Sequence, residues 1–314
     1  MAVTESNPVL AETRAFNAQL ADLLATMPPL ASVPIEVTRR VRRERGGIFP
    51  APVRLPQARE LAIPGRAGEL RLRVLAPPYE PVGVYLHVHG GGFCLGACDQ
   101  QDPRLAALAE ATGLVAASVE YRLAPEHPFP AALDDCEDAA AWLLEQGAAE
   151  LGAPAAFAIG GESAGAYLAA TTLLRTRDRG AFRAANLAYG VYDCSHTPSR
   201  RAADEQTLVI SGSTLDFFDR SFMPGARDPE RLRDPAISPL YADLRDLPPA
   251  LFTVGTNDPL LDDTLFMAAR WRAAGNRTEL QVLEEAAHAF NLFPLAAARI
   301  ANEAQHRFLA EAFA

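Results

Sequence analysis

The sequence predicts an α/β protein with a mostly parallel central sheet covered by helices on both faces. Three observations carry that prediction. From residue 82 onward, short apolar runs of strand length alternate with longer helix-periodic runs. Glycines and prolines punctuate the junctions. The 314 residues are 49% hydrophobic and 22% charged, which suits one large α/β domain, with or without an appendage, and a sizeable core.

The elements follow in order. Residues 8–26 have helical spacing, with Asn7 as N-cap and Pro8 at the first helical position. The run MPPL ends that segment. A second helix starts at Ser32 with Pro34 and runs to Gly46-Gly47. Its cluster Arg39, Arg40, Arg42, Arg43 and Arg45 reads as a solvated face rather than an anion site. From residue 52, PVRLPQARELAI and GELRLRVLAP alternate like antiparallel strands joined through Pro64-Gly65. VGVYLHVHG (82–90) is a buried strand, and DPRLAALAEAT a helix leading to Gly113 and the strand LVAASVEY. A helix from about Ala131 to Gln146 precedes the strand AAFAI. LAYGV (187–191) and ALFTVG (250–255) are further strands, then come helix LFMAARWRAAG and strand TELQVLE. Functional residues are expected where such strands end and helices begin.

Residues 193–245 break the rhythm with Pro, Arg, Asp and scattered aromatics over a length too great for a simple connection. They read as a helical insertion over the sheet, packed with the N-terminal helices. The division expected is residues 1–50 as N-terminal helices, 51–192 and 246–314 as core, and 193–245 as insertion.

Charge and cysteine content exclude several classes. Twenty-nine basic against thirty-nine acidic residues give a net charge of −10, which argues against nucleic-acid binding. The start MAVTESNPVL lacks a basic and then apolar leader, so a cytoplasmic location is expected. Residues 155–174 are mostly apolar and contain Gly161-x-x-x-Gly165, but adjacent glycines and Glu162 interrupt them, which argues against a membrane span. Cys94, Cys98, Cys136 and Cys194 lack paired zinc spacing, so they read as free thiols with no metal.

Gly161-Glu162-Ser163-Ala164-Gly165 lies where a strand becomes a helix. A serine on so sharp a turn projects its hydroxyl above the sheet, and the glycines remove side chains that would collide. The free N–H groups at the start of the new helix point at the same spot and favour a developing oxyanion. A serine nucleophile needs a base, and the base an orienting carboxylate. Asp258 follows strand ALFTVG in the loop proper, whereas Asp262 and Asp263 fall one turn on, where a helix dipole favours carboxylates. His288 follows strand TELQVLE. His87 alternates within a strand and reads as core, His127 sits in a Pro-rich turn, His196 in the insertion and His306 on a terminal helix. His288 is therefore the base, and the order Ser163, Asp258, His288 fits the α/β-hydrolase topology. The run His89-Gly90-Gly91-Gly92-Phe93 follows a strand and lets backbone N–H groups approach an anion.

Together, HGGGF (89–93), YRLAPEHPFPAALDD (121–135), GESAG (161–165), DPL (258–260) and HAF (288–290) resemble the hormone-sensitive-lipase-like family (family IV) of bacterial carboxylesterases, over roughly residues 82–295. The resemblance implies an α/β-hydrolase fold with nucleophile Ser163, acid Asp258 and base His288. It implies oxyanion donors at the backbone N–H of Gly91, Gly92 and Ala164, and a cap built from the N-terminal helices and the insertion. Glu162 departs from the family's usual Asp and is expected to hold the loop. The implied reaction is hydrolysis of short- to medium-chain carboxylic esters through an acyl-enzyme, with no cofactor and no metal. Family members often pair through an edge strand, so a homodimer is a further expectation. An amidase, formamidase or lactonase on the same scaffold shares the triad, and a non-catalytic small-molecule binder would keep the pocket but lose the base. Phe93, Phe217, Phe218, Phe222 and Met223 either line an acyl or alcohol pocket or, as such residues at helical spacing commonly do, belong to the core.

Overall fold

The computed structural model describes residues 7–180 and 182–314; the leader reading rests partly on residues 1–6, which lie outside them. Among the described residues, eight strands form one sheet: β1 (Arg59–Gly65), β2 (Gly68–Leu75), β3 (Gly83–Val88), β4 (Leu114–Glu120), β5 (Phe157–Glu162), β6 (Phe182–Ala188), β7 (Ala250–Asn257) and β8 (Thr278–Ala287). Their order is β1-β2-β4-β3-β5-β6-β7-β8. The β1–β2 and β2–β4 pairs are antiparallel, and all the others are parallel.

The helices are α1 (Pro8–Ala25), α2 (Ile35–Arg45), α3 (Asp102–Thr112), α4 (Ala131–Trp142), α5 (Ala148–Glu150), α6 (Ala164–Arg175), α7 (Pro198–Arg201), α8 (Gly212–Phe222), α9 (Pro229–Leu232), α10 (Leu261–Ala273) and α11 (Ala296–Phe313). Alternate residues along each central strand face opposite sides of the sheet. Val84, Leu86 and Val88 of β3 join a core with Leu133 of α4, Leu168 of α6 and Trp271 of α10. Tyr85, between them, joins the opposite core with Leu105 and Leu108 of α3 and Phe308 and Leu309 of α11. Both faces are covered, so the central strands read as unbroken apolar runs rather than as alternating ones. Each fully buried Leu, Val or Phe contributes about 1.5–3 kcal/mol relative to leaving it exposed.

Several boundaries differ from the sequence expectation: the second helix starts at Ile35 rather than Ser32, β5 spans Phe157–Glu162 rather than 155–159, α4 ends at Trp142 rather than near Gln146, and β8 runs three residues beyond TELQVLE to Ala287. Residues 52–58 are not strand: Pro52 and Pro56 have no N–H for a ladder. The segment is instead pinned by Leu55, whose N–H donates to Asp102 (2.8 Å) and whose carbonyl accepts from Arg73 (3.2 Å). β6 begins at Phe182, five residues before LAYGV, and ends at Ala188. Helix α10 begins at Leu261, so Asp262 and Asp263 occupy its first turn as expected of dipole-favoured carboxylates. Residues 155–174 divide into β5 and α6, and among the described residues no helix is long and apolar enough to cross a membrane. All four cysteines are buried free thiols.

The 193–245 segment carries the helices α7, α8 and α9 separated by longer turns and irregular chain, so it is less helical than expected, and it meets the N-terminal segment. Ile210, Leu215 and Phe218 form a cluster with Ile35, Leu95 and Leu260. The entry to this segment is anchored by buried Asp263, which accepts from the backbone N–H of Tyr192 (2.7 Å) and Asp193 (2.9 Å) and from the Thr197 hydroxyl (2.6 Å). The arginine cluster of α2 does not act as one solvated face. Arg40, Arg43 and Arg45 are exposed. Arg39 crosses to the core, donating to the carbonyls of Cys94 and Ala124 (2.8 Å each) and pairing with Glu126 at 2.7 Å. Arg42 turns toward a cavity described below.

Candidate active site

The β5–α6 junction is a tight reversal. Ser163 sits there at φ 57° and ψ −122°, a conformation that costs a non-glycine residue about 1–3 kcal/mol. Its surroundings hold it in place. The Ser163 N–H donates to the Ala188 carbonyl (2.9 Å), and its own carbonyl accepts from Ala166 (3.0 Å) and Tyr167 (3.2 Å). The flanking glycines are dictated by strand β3. A Cβ at Gly161 or Gly165 would lie 2.2 or 1.9 Å from the Val88 carbonyl oxygen.

His288 Nε2 lies 2.9 Å from Ser163 Oγ. Its Nδ1 lies 2.9 Å from Asp258 Oδ2 and 3.0 Å from Oδ1. A carboxylate only accepts, so Nδ1 carries the proton and Nε2 is left to accept from the serine hydroxyl. Asp258 Oδ1 also accepts from the Leu260 N–H at 2.8 Å, which fixes the carboxylate plane. Both Asp258 and His288 are buried. The Tyr189 ring meets the imidazole edge-on, with centroids 4.9 Å apart, and so restrains its tilt. Three separate turns, after β5, β7 and β8, thus deliver the three side chains to one point.

The glycine-rich turn after β3 lies beside that point, and Gly90, Gly91 and Gly92 share a cavity wall with Ser163 and His288. Gly91 has φ 130°, and a Cβ there would lie 2.2 Å from the Leu95 carbonyl oxygen, so only glycine fits. Among the described residues no protein acceptor takes the N–H groups of Gly91, Gly92 or Ala164, which leaves them free for a ligand oxygen. The turn is held from behind by His89, whose ring stacks on Tyr121 with centroids 4.2 Å apart, while the Tyr121 hydroxyl donates to the His89 carbonyl (2.8 Å). Burial lowers the His89 pKa, so its imidazole is neutral.

Glu162, next to Ser163, is buried in a polar network. It contacts His87 Nε2 at 3.2 Å and Arg104 at 3.3 Å, and it accepts a hydrogen bond from the Gln101 amide. Burial alone would raise its pKa, but attraction to His87 and Arg104 and the hydrogen bonds from His87 and Gln101 prevail, holding it well below the usual carboxylate range. The loop-holding role expected of Glu162 is thus given partners, and they tie the elbow to α3. His87, read as a core histidine, is buried but polar in its contacts, with Ser118 on its other nitrogen (2.9 Å). The sequence reading missed Gln101, Arg104 and Tyr189. The spacing of three between Gln101 and Arg104, at the start of a mostly apolar helix, was the available signal.

Above Ser163 and His288 lies a cavity of about 1500 Å³. Its walls come from α1 and α2 (Leu24, Val37, Val41, Arg42), the turn between them (Met27, Leu30) and the 193–245 segment (Leu208, Val209, Ile210, Phe218). Of the five aromatic and Met pocket candidates, Phe218 alone lies on this wall. Phe93 and Phe222 instead stack on each other in the core, with centroids 3.7 Å apart, and Met223 packs against the same core. Phe217 packs beside the Ile35–Leu215 cluster. These four thus pack in or against apolar clusters and not on the cavity wall. Burial favours this, because stacking removes both rings from water at once.

A family model described as the alpha/beta hydrolase fold matches residues 85–292. The chain is 34% identical over 251 residues to the carboxylic ester hydrolase LipN of Mycobacterium tuberculosis, covering 75% of this chain and 65% of that protein. It is 34% identical over 235 residues to the carboxylesterase NlhH of the same organism, covering 72% of this chain and 73% of the other. A solved hyperthermophilic esterase from the archaeon Pyrobaculum calidifontis superposes with a TM-score of 0.84 at 30% identity, covering 96% of this chain and 98% of that one.

Proposed function

The chain belongs to the α/β-hydrolase family, in its hormone-sensitive-lipase-like group, and on that premise we propose that it is a serine carboxylesterase acting on short- to medium-chain esters. The observation that most supports this reading is the contact of His288 Nε2 with Ser163 Oγ at 2.9 Å, backed by Asp258 on the opposite ring nitrogen. In the reaction, Ser163 Oγ attacks the ester carbonyl carbon as its proton passes to His288 Nε2. The carbonyl oxygen becomes an oxyanion facing the N–H groups of Gly91, Gly92 and Ala164. His288 then protonates the leaving alcohol oxygen as the C–O bond breaks, which leaves an acyl-enzyme on Ser163. Water enters, gives its proton to His288 and attacks the acyl carbon; the same proton returns to Ser163 Oγ as the acid departs. Asp258 stabilises the imidazolium in both halves.

In the same reading, residues 1–50 and 193–245 act as a cap, and the cap sets the substrate size. The substrate is a small molecule and the protein is cytoplasmic. Two copies pair through the open edge strand β8, whose Leu280 and Val282 are substantially exposed. The deciding experiment is a panel of aryl esters, lactones and anilides run against the wild type and Ser163→Ala. Esters are expected to be turned over best, with kcat falling about a thousandfold or more in the variant. Wild-type activity in a folded Ser163→Ala protein would reject the nucleophile, and a preference for anilides would reject the ester assignment.

A further inference from the structure

Buried or half-buried arginines in this protein have carboxylate partners, with one exception. Among the described residues, every arginine that forms no ion pair is exposed except Arg42. Arg42 lies on α2 with its guanidinium over the Phe49 ring, 4.5 Å from the centroid. Arg39, one turn earlier, shows the contrasting arrangement, with Glu126 and two carbonyls satisfying its donors.

Arg42 and Ser163 line the same cavity. Two carboxylates also reach that cavity, and both are engaged. Glu162 is held by His87, Gln101 and Arg104. Glu205 accepts from the backbone N–H (2.9 Å) and hydroxyl (2.7 Å) of Ser213. On the same side of the cavity, Val37, Val41, Ile48 and Phe49 are apolar, and Thr38, one turn before Arg42, is the one side-chain hydroxyl among these neighbours in sequence. Burial lowers the Arg42 pKa to about 10 with no acidic group offsetting it, so the side chain stays cationic at neutral pH. Desolvating a cation without a partner is costly, and a bound anion removes that cost.

Resting on the esterase reading, we propose that the preferred substrate is an ester bearing a carboxylate remote from the scissile bond, and that Arg42 binds this carboxylate. A guanidinium presents parallel N–H donors that match a carboxylate. A phosphate dianion fits less well, because the other arginine on this wall, Arg104, is already paired with Glu162 and, among the described residues, the cavity wall has no second unpaired arginine or lysine to balance the extra charge. The apolar wall then takes the methylene chain between the two ends of the substrate.

The test compares the 4-nitrophenyl ester of suberic acid with that of its monoamide, which has the same length and a neutral end. The readout is the ratio of kcat/KM for acid over amide. It is independent of the fraction of enzyme folded, so partial misfolding of a variant does not mimic the effect. Arg42→Gln is expected to lower this ratio by about tenfold to a hundredfold, the range of a charge-assisted hydrogen bond, mainly through KM. Arg42→Lys should recover part of the loss. A ratio in Arg42→Gln within about twofold of wild type would overturn the proposal. Should the wild type hydrolyse neither ester, the esterase reading fails separately. Calorimetric binding of free suberic monoamide to wild type and Arg42→Gln then decides the Arg42 site, and equal affinity overturns it.

Discussion

Replacing Asp258 by Asn tests the base assignment through the tautomer of His288. Asp258 Oδ1 accepts from the Leu260 N–H at 2.8 Å. In the Asn variant the amide oxygen must keep that position, because an NH2 group there would face another donor. The NH2 group then takes the Oδ2 position, 2.9 Å from His288 Nδ1, and repels a proton there, which favours the tautomer whose Nδ1 accepts. The imidazole proton moves to Nε2, which lies 2.9 Å from Ser163 Oγ and becomes a donor where an acceptor is needed. The imidazolium formed during attack also loses its buried counter-charge. In a serine-protease triad the same change lowers kcat about 10⁴-fold, which corresponds to about 5.4 kcal/mol of barrier at about 1.36 kcal/mol per decade. The assay is kcat on a chromogenic short-chain ester at neutral pH, with thermal unfolding run alongside to show that the variant is folded. A folded Asp258→Asn enzyme within tenfold of wild type, with Ser163→Ala inactive, would refute the reasoning.

Two further predictions concern the framework of the elbow. Gly165→Ala places a methyl 1.9 Å from the Val88 carbonyl oxygen, a backbone atom of a central strand that cannot swing away, so a loss of about 3 kcal/mol or more is expected in chemical denaturation; a change under about 1 kcal/mol would show that the elbow relaxes freely. Glu162→Gln tests the buried network by its pH dependence. The folded-state pKa of Glu162 is depressed, so its carboxylate contributes stability that is fully present above the unfolded pKa of about 4.3 and is lost as pH falls toward the folded value. The variant should therefore be less stable than wild type at pH 7, with the gap closing as the pH is lowered below about 4, and a gap that widens on acidification would contradict the assignment.

The three residues of the proposed triad could be picked out because each is tied to a local pattern: a glycine-flanked serine at a strand-to-helix change, and an acid and a histidine each just beyond a strand. Such positions follow from topology alone, since parallel strands deliver their C-terminal ends to one side of the sheet. The cavity walls were not legible in the same way. Phe93, Phe217, Phe222 and Met223 have the same spacing whether they face a core or a pocket, and only the path of residues 193–245 over the sheet decides between them. The strand start at Arg59 rather than at Pro52 depended on Asp102, distant in sequence, which takes the Leu55 N–H. The arginines of α2 made one uniform pattern in sequence, yet the angle at which α2 packs sends Arg39 to Glu126, Arg42 to the cavity and the others to water.

The placement of Glu162 raises a physical difficulty whose answer lies in its partners. In the proposed reaction, a carboxylate beside Ser163 opposes negative charge on the oxyanion, and low local dielectric strengthens that opposition. Protonating Glu162 would relieve it, but the network holds the residue ionised. Arg104 resolves the conflict by making the pair close to neutral as seen from the cavity, while Gln101 and His87 absorb the remaining lone pairs. The carboxylate then acts as a fastener: it joins β5, β3 and α3 at the turn where Ser163 is held in a costly conformation. Rotation of Ser163 out of that conformation would have to break the Ala188 carbonyl contact and disturb the Glu162 network at the same time. On this account Arg104 is a positioning residue whose charge matters as much as its shape, since a neutral side chain of equal size would leave Glu162 uncompensated next to the reacting oxygen.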